Sequence, residues 1–403
     1  MFSRFSNISK TILSKQLYHK SHSHPHPHLL NNNHHRHLST PGYITVSIDE
    51  ALSKTTQALQ KIGWDEGDAS LQAEIMTSAE LCGNNQGLVK MYQPHLMAPS
   101  PNAGKPMIER DTLTSAVING NQAPGMLAAV MAADLAASKV LPVGQDDSGS
   151  NNSNSNSNSI AISIVSTYNT CTSSGQLAFY VERMAKKGII GIGFANSPEF
   201  VSAAAGGKPV FGTNPLAVGV PQSKSQHPQP QPPFTFDMAT SAIALFGVMT
   251  SKAQGRPLPP NVAYDEHGNW TTDASKALDG GGSIATFGGH KGAGLALCVE
   301  LLAGALSGSA VLGQCESKKV AKNWGHTFIA IRPDCLVDDF EEKVGSILET
   351  VKASGGDDDG TRIRIPGENS LKNSLERREK GVMPIPEQIW ESILNTAENG
   401  LSK

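Results

Sequence analysis

A chain of 403 residues is long enough to bury a large apolar core and to divide into two or three domains. Its formal charge of −3 at pH 7 leaves no basic excess for a nucleic-acid partner. The five cysteines, Cys82, Cys171, Cys298, Cys315 and Cys335, form no CxxC pair, so neither a zinc site nor a dithiol motif is indicated, and their sparse, odd count fits a reducing compartment.

Residues 1–40 carry Arg4, Lys10, Lys15, Lys20 and Arg36, many serines and no acid. That pattern reads as a mitochondrial transit segment, the alternative being a His/Asn-rich tail of a cytoplasmic protein. Most of the histidines fall here, among Ser, Pro and Asn, as low-complexity sequence and not as a metal site. Order is expected from near Tyr43. A short strand-like piece leads to a helix capped by Ser47 or Asp49, with Leu52, Leu59 and Ile62 on one face and Gly63 at its end. A second helix, capped by Asp68, carries Leu71, Ile75 and Leu81 into the segment AELCGNNQGLVKMY. An Ala-rich helix over residues 127–141 precedes a Ser/Asn tract, residues 145–159, too polar to order itself. A strand resumes at 160–166, and Leu177, Val181 and Met184 then mark a helix ending at Gly188. With the buried strand 189–196 this makes a βαβ unit. Residues 222–233 are a second polar insertion, and FTFDMATS is a strand running into a helix. The longest apolar run, 292–313, contains Glu300, Gly304 and Gly308, which favour a core or subunit-interface helix over a membrane span. One more helix is expected over 337–352.

No GxGxxG opens a helix after a strand, because Gly191-Ile-Gly193-Phe-Ala-Asn196 lacks its third glycine. Other segments carry chemistry. Thr213 and Asn214, in GKPVFGTNP, supply side-chain groups suited to an amide, although Asn-Pro is also ordinary turn chemistry. Asp237 ends a strand and could cap the helix that follows. Gly289-His290-Lys291-Gly292 opens the apolar helix with free N–H groups and a cation, an arrangement that favours an anion such as pyrophosphate.

Taken together, GKPVFGTNPLAVGVP, FTFDMATS and GGHKGAGLALCVELLAGALSG resemble the malate/L-lactate dehydrogenase family, whose relatives include ureidoglycolate, sulfolactate and cyclic-imine reducing enzymes. The resemblance covers roughly residues 44–386 outside the two insertions. It implies a mixed α/β, non-Rossmann fold with an N-terminal helical region and a central cofactor-binding domain. It implies NAD or NADP in a cleft of an obligate homodimer, and a small-molecule substrate with no nucleic-acid or membrane partner. Leu177, Ser197, Thr213, Asn214, Asp237, Met238, Ala239, Lys291 and Gly292 fall on the family's cofactor contacts. The implied division is 41–140 for the helical, substrate-binding region, 141–159 for the insertion, 160–335 for the NAD(P)-binding domain, and 336–403 for a C-terminal region packing back on the core.

The same alignment exposes departures. Where the family has SHGxxR, this chain has Asn85-Gln86-Gly87-Leu88-Val89-Lys90, so Gln86 replaces His and Lys90 replaces Arg. Where the family has the His of NHFG, this chain has Ser173, and where it has GGYKG, His290 replaces Tyr. Lys90 keeps a charge for a substrate carboxylate but loses the bidentate fork. Ser173 is a poor acid alone, so His290 is the leading candidate for proton donor, followed by Tyr168 and Lys90. Three readings follow: a 2-oxo/2-hydroxy acid dehydrogenase with a replaced acid, a cyclic-imine reductase whose substrate carries its own proton, or a dinucleotide-binding protein without turnover.

Overall fold

The computed structural model describes residues 42–401 except 85, 143–159, 223–231, 254, 313, 315–322 and 356–362. The transit-like segment lies outside the described residues, as does nearly all of both polar insertions.

In chain order, β1 (Tyr43–Ser47) leads directly into α1 (Ile48–Lys61) and α2 (Glu66–Leu81). Ser47 caps α1, its hydroxyl accepting from Glu50 N at 3.1 Å. The cap of α2 is Asp65 and not Asp68: Asp65 Oδ1 accepts from the N–H of Asp68 at 2.9 Å, so the helix starts one turn earlier than its apolar pattern suggests. A hairpin, β2 (Met107–Asp111) and β3 (Ser115–Asn119), precedes α3 (Gly125–Val140), β4 (Ile162–Thr170), α4 (Ala178–Ala185) and β5 (Ile190–Ala195). Short strands β6 (Val201–Ser202) and β7 (Pro209–Phe211) lead to β8 (Leu216–Val220) and β9 (Phe234–Met238). Then come α5 (Leu245–Ala253), β10 (Ala263–Tyr264), α6 (Ala274–Leu278), β11 (Ser283–Ala285) and α7 (His290–Val299). The chain closes with β12 (Trp324–Ile331), α8 (Phe340–Ala353), α9 (Glu368–Lys380), β13 (Val382–Pro386) and α10 (Glu387–Asn399).

The main sheet runs β2-β3-β4-β12-β5-β8-β9, with β3 and β4 parallel and its other pairs antiparallel. The expected βαβ unit is therefore present but split: β4 and β5 run the same way with β12 inserted between them. Helices α3 and α4 cover the sheet, and Tyr180, Phe328 and Met126 are fully buried there. β13 pairs antiparallel with β1, and α10 packs on α1. A smaller sheet, β10-β11-β6-β7, has its own apolar core around Val201, Val248 and Ile284.

The apolar run is not one regular helix. After α7 the backbone widens into a π-helical segment, Glu300–Ala305, and among the described residues no helix is long and apolar enough to cross a membrane.

Candidate active site

A short 3-10 turn, Leu88–Tyr92, follows α2 and carries Lys90. The turn is pulled tightly under α2, because a Cβ on Gly87 would lie 2.2 Å from the Met76 carbonyl oxygen. Lys90 is only 6% exposed. Its Nζ donates to Ser173 Oγ and lies 5.3 Å from the centre of the Phe246 ring. No carboxylate pairs with it among the described residues. Burial pulls its pKa down from 10.5 to about 8, a penalty on the charged form of about 3 kcal/mol. Cation–π contact, at roughly 0.5–2 kcal/mol, does not cancel that.

Ser173 sits half-buried in the loop between β4 and α4. Gly175, at φ +79°, turns this loop against the carbonyl of Gln86 and the stem of Lys90, so the two segments that depart from the family pattern meet in space. Gln86 is held through its backbone, its N–H donating to Asn84 Oδ1 at 2.9 Å. Tyr168, the other candidate donor, gives its hydroxyl to Glu109 Oε2 at 2.8 Å.

One histidine in this neighbourhood escapes the sequence reading. His326, on β12, is fully buried; its Nδ1 shares a hydrogen bond with Thr167 Oγ1 at 2.9 Å, and its Nε2 has no partner. Burial pushes its pKa down to about 4, so the ring is neutral. Its Cε1 and the Ser173 carbonyl carbon each lie 3.1 Å from where a Gly125 Cβ would stand. A lone His inside an apolar strand gives no signal of this placement.

The expected cofactor segments also converge. Gly212 runs so close to Ser197 that a Cβ would be 2.0 Å from its Oγ. Ser197 and Thr213 hydroxyls are 3.4 Å apart, and Thr240 Oγ1 donates to the carbonyls of Thr213 and Asn214 at 3.2 and 3.1 Å. Met238 and Ala239 join this cluster at the end of β9, where Met238 pairs with Leu216. Asn214 is fully buried at φ +39°, and its Nδ2 is committed to Glu300 Oε1 at 2.8 Å and Ala296 O at 3.2 Å. The π-helical widening turns Glu300 inward, where its second oxygen accepts from Leu312 N at 3.1 Å. Burial raises the Glu300 pKa, against the pull of the Asn214 and Leu312 bonds. Asn214 Oδ1 is left as a buried acceptor with no donor.

Asp237 does cap a helix, but not the one that follows it. Its carboxylate accepts from Ala178 N at 2.8 Å, at the start of α4. Enclosure pushes its pKa up to about 6, against the pull of the Ala178 and Leu177 N–H groups. Leu177 meets Asp237 through its backbone, while its side chain is 1% exposed and belongs to the core. Next to this contact opens a cavity of about 1550 Å³, lined among others by Cys82, Asn84, Gln176, Ala178, Phe179 and Asp237. Gln176 lines it, three residues after Ser173, but Lys90 and Ser173 themselves do not. Ser197, Thr213, Asn214 and Lys291 do not line it. His290 and Lys291 are exposed at the start of α7, and Gly292 is buried where a Cβ would meet the Phe287 carbonyl oxygen at 2.1 Å.

Residues 46–394 match the family described as malate/L-lactate dehydrogenase. The chain belongs to that family. It is 31% identical over 362 residues to an L-sulfolactate dehydrogenase of Methanothermobacter thermautotrophicus, covering 87% of this chain and 96% of that one. It is 35% identical over 234 residues to a Delta(1)-pyrroline-2-carboxylate/Delta(1)-piperideine-2-carboxylate reductase of Pseudomonas aeruginosa, covering 57% of this chain and 66% of that one. Its fold matches the crystal structure of malate dehydrogenase from Entamoeba histolytica with a TM-score of 0.76 at 26% identity, over 88% of this chain and 97% of that one. As a malate/L-lactate dehydrogenase family member this protein is an oxidoreductase, and its fold is the mixed α/β, non-Rossmann one that the motifs imply. Members of this family use a nicotinamide dinucleotide, and one buried acceptor here, Asn214 Oδ1, has the chemistry to receive an amide N–H.

Proposed function

We propose that this protein transfers a hydride between a nicotinamide dinucleotide and a small 2-oxo/2-hydroxy acid. The observation that carries the proposal is Lys90, a buried ammonium with no anion of its own among the described residues, beside a half-buried hydroxyl. A buried charge of this kind is stabilised by an anion brought near it, and a substrate carboxylate seated beyond Ser173 supplies one without direct contact. Ser197, Thr213, Asn214, Met238 and Ala239 hold the nicotinamide end, and the exposed Lys291 at the start of α7 serves the phosphates. The bound cofactor supplies the hydride; the protein supplies orientation, charge and a proton.

One observation favours a second reading, reduction of cyclic imino acids: neither Gln86 nor Ser173 is an imidazole, and an iminium needs no external acid. We also propose a homodimer, because Leu297, Leu301 and Leu306 are 46–54% exposed along α7 and the π-helical segment.

The test is turnover by the purified protein with NADH and with NADPH, each against 2-oxo acids and cyclic imino acids. Oxidation of reduced cofactor with 2-oxo acids supports the first reading, and oxidation with imines alone supports the second. A nucleotide-induced rise in melting temperature without turnover of any substrate would mean a non-catalytic binding protein.

A further inference from the structure

Resting on the reading above, we propose that Ser173 and Lys90 form the proton relay of the reaction, Ser173 Oγ protonating the substrate oxygen and Lys90 Nζ restoring the proton to Ser173. The direction of the relay follows from donor chemistry. An ammonium has three N–H donors and no acceptor, so in the Lys90–Ser173 bond the amine donates and Ser173 Oγ accepts. The serine's own hydrogen remains unspent, and no acceptor for it is found among the described residues. Placement agrees with direction: Lys90 is 6% exposed and lies behind, while Ser173 is half-buried and lies in front.

An ammonium is a stronger acid than a serine hydroxyl even at its ordinary pKa, so proton transfer from Lys90 to a serine oxyanion runs downhill. Here burial brings Lys90 down to about 8, close to the range in which a general acid is both charged and willing to give up its proton. His290 has no comparable setting, being exposed at the start of α7 with no hydrogen bond among the described residues.

The step balances. A hydride adds to the carbonyl carbon, forming a C–H bond, and the C=O π pair moves to oxygen, while the nicotinamide is oxidised by two electrons. The oxygen takes the Ser173 proton, and Ser173 Oγ takes one from Lys90 Nζ. Lys90 is left as a neutral amine and regains its proton from solvent.

Two measurements test this. The first needs no turnover: NMR titration of lysine side-chain signals, with Lys90 assigned by its loss in Lys90→Arg. The expected midpoint is near 8, and Ser173→Ala lowers it further by removing the acceptor of the charged form. A midpoint at the ordinary value, or one blind to Ser173→Ala, overturns the pairing. The second is kinetic. Ser173→Ala is expected to lower kcat on a 2-oxo acid by roughly 10²–10⁴-fold, and Ser173→Thr to recover most of it. Lys90→Arg is expected to lower kcat and to make what remains independent of pH above 8, because a guanidinium neither titrates there nor gives up a proton. Nucleotide-induced melting shifts confirm that each variant is folded. Full activity in Ser173→Ala, with the loss found in His290→Ala instead, overturns the relay and leaves the proposed function standing. Absence of turnover in the native protein overturns the function and the relay with it.

Discussion

Burying an ammonium without an anion costs free energy that the rest of the fold must offset, so such a residue persists where its charge is used. Lys90 shows why lysine and arginine are not interchangeable at this place. Arginine would stay charged at any pH; lysine's pKa moves with its surroundings, and here it reaches about 8. Asp237 is the opposite case, a carboxyl enclosed at the start of α4 with its pKa raised from 3.8 to about 6. A raised carboxyl contributes stability that is fully present below its unfolded pKa and is lost as pH rises through the folded one. Asp237→Asn is therefore expected to flatten the fall in stability between about pH 4 and pH 6, measured by urea denaturation across that range. An unchanged slope would mean that the Asp237 carboxyl is not confined as described.

At the scale of elements, close backbone approaches position the chemistry. Gly212 lets the β7–β8 connection pass against Ser197, which sets Thr213 and Asn214 over Glu300. Gly212→Ala would place a methyl 2.0 Å from Ser197 Oγ and 2.4 Å from the Ser197 carbonyl oxygen. The backbone must then move, at roughly 1–3 kcal/mol or more. The expected result is a lowered melting temperature together with a weakened nucleotide-induced shift, and a variant that binds nucleotide normally would remove this loop from the cofactor site. A second device is α9, whose Arg377 donates to the carbonyls of Glu80 and Leu81 and whose Asn373 donates to that of Cys82 at 3.2 Å. These bonds tie α9 to the last carbonyls of α2, the helix that leads into the Lys90 turn. The π-helical segment is a third: its extra residue per turn directs Glu300 inward to Asn214 while leaving Leu301 outward.

For the whole molecule, the closing contacts join the ends of the described chain. β13 pairs with β1, and Ser392 Oγ on α10 donates to the Met91 carbonyl at 2.6 Å, so the C-terminal helix braces the turn that carries Lys90. The leucines exposed on α7 and the π-helical segment remain uncovered in a single chain. Leu301→Arg is expected to convert a dimer to a monomer in light scattering after gel filtration and, because this helix also holds Glu300, to weaken nucleotide binding. A native protein that is monomeric at micromolar concentration would sink the proposed dimer.

Much was legible in the sequence because local chemistry wrote it there. Ser47 and Gly63 bracket α1, Gly188 ends the turn after α4, and the GTNP and DMATS segments with the glycine-flanked helix start carry the family. The rest depended on long-range contacts that no local pattern encodes. β12 carries no local signature because a central strand, buried on both faces, shows no clear alternation, and His326 is hidden with it. Asp237 reads as a cap for the next helix, yet sheet pairing turns its carboxylate onto α4, 59 residues earlier in the chain. Gln86, Lys90 and Ser173 look in the sequence like three separate losses. Only the tertiary structure brings Lys90 and Ser173, 83 residues apart, into one hydrogen bond, because a pKa and a proton path depend on distance and burial, and neither is a property of sequence spacing.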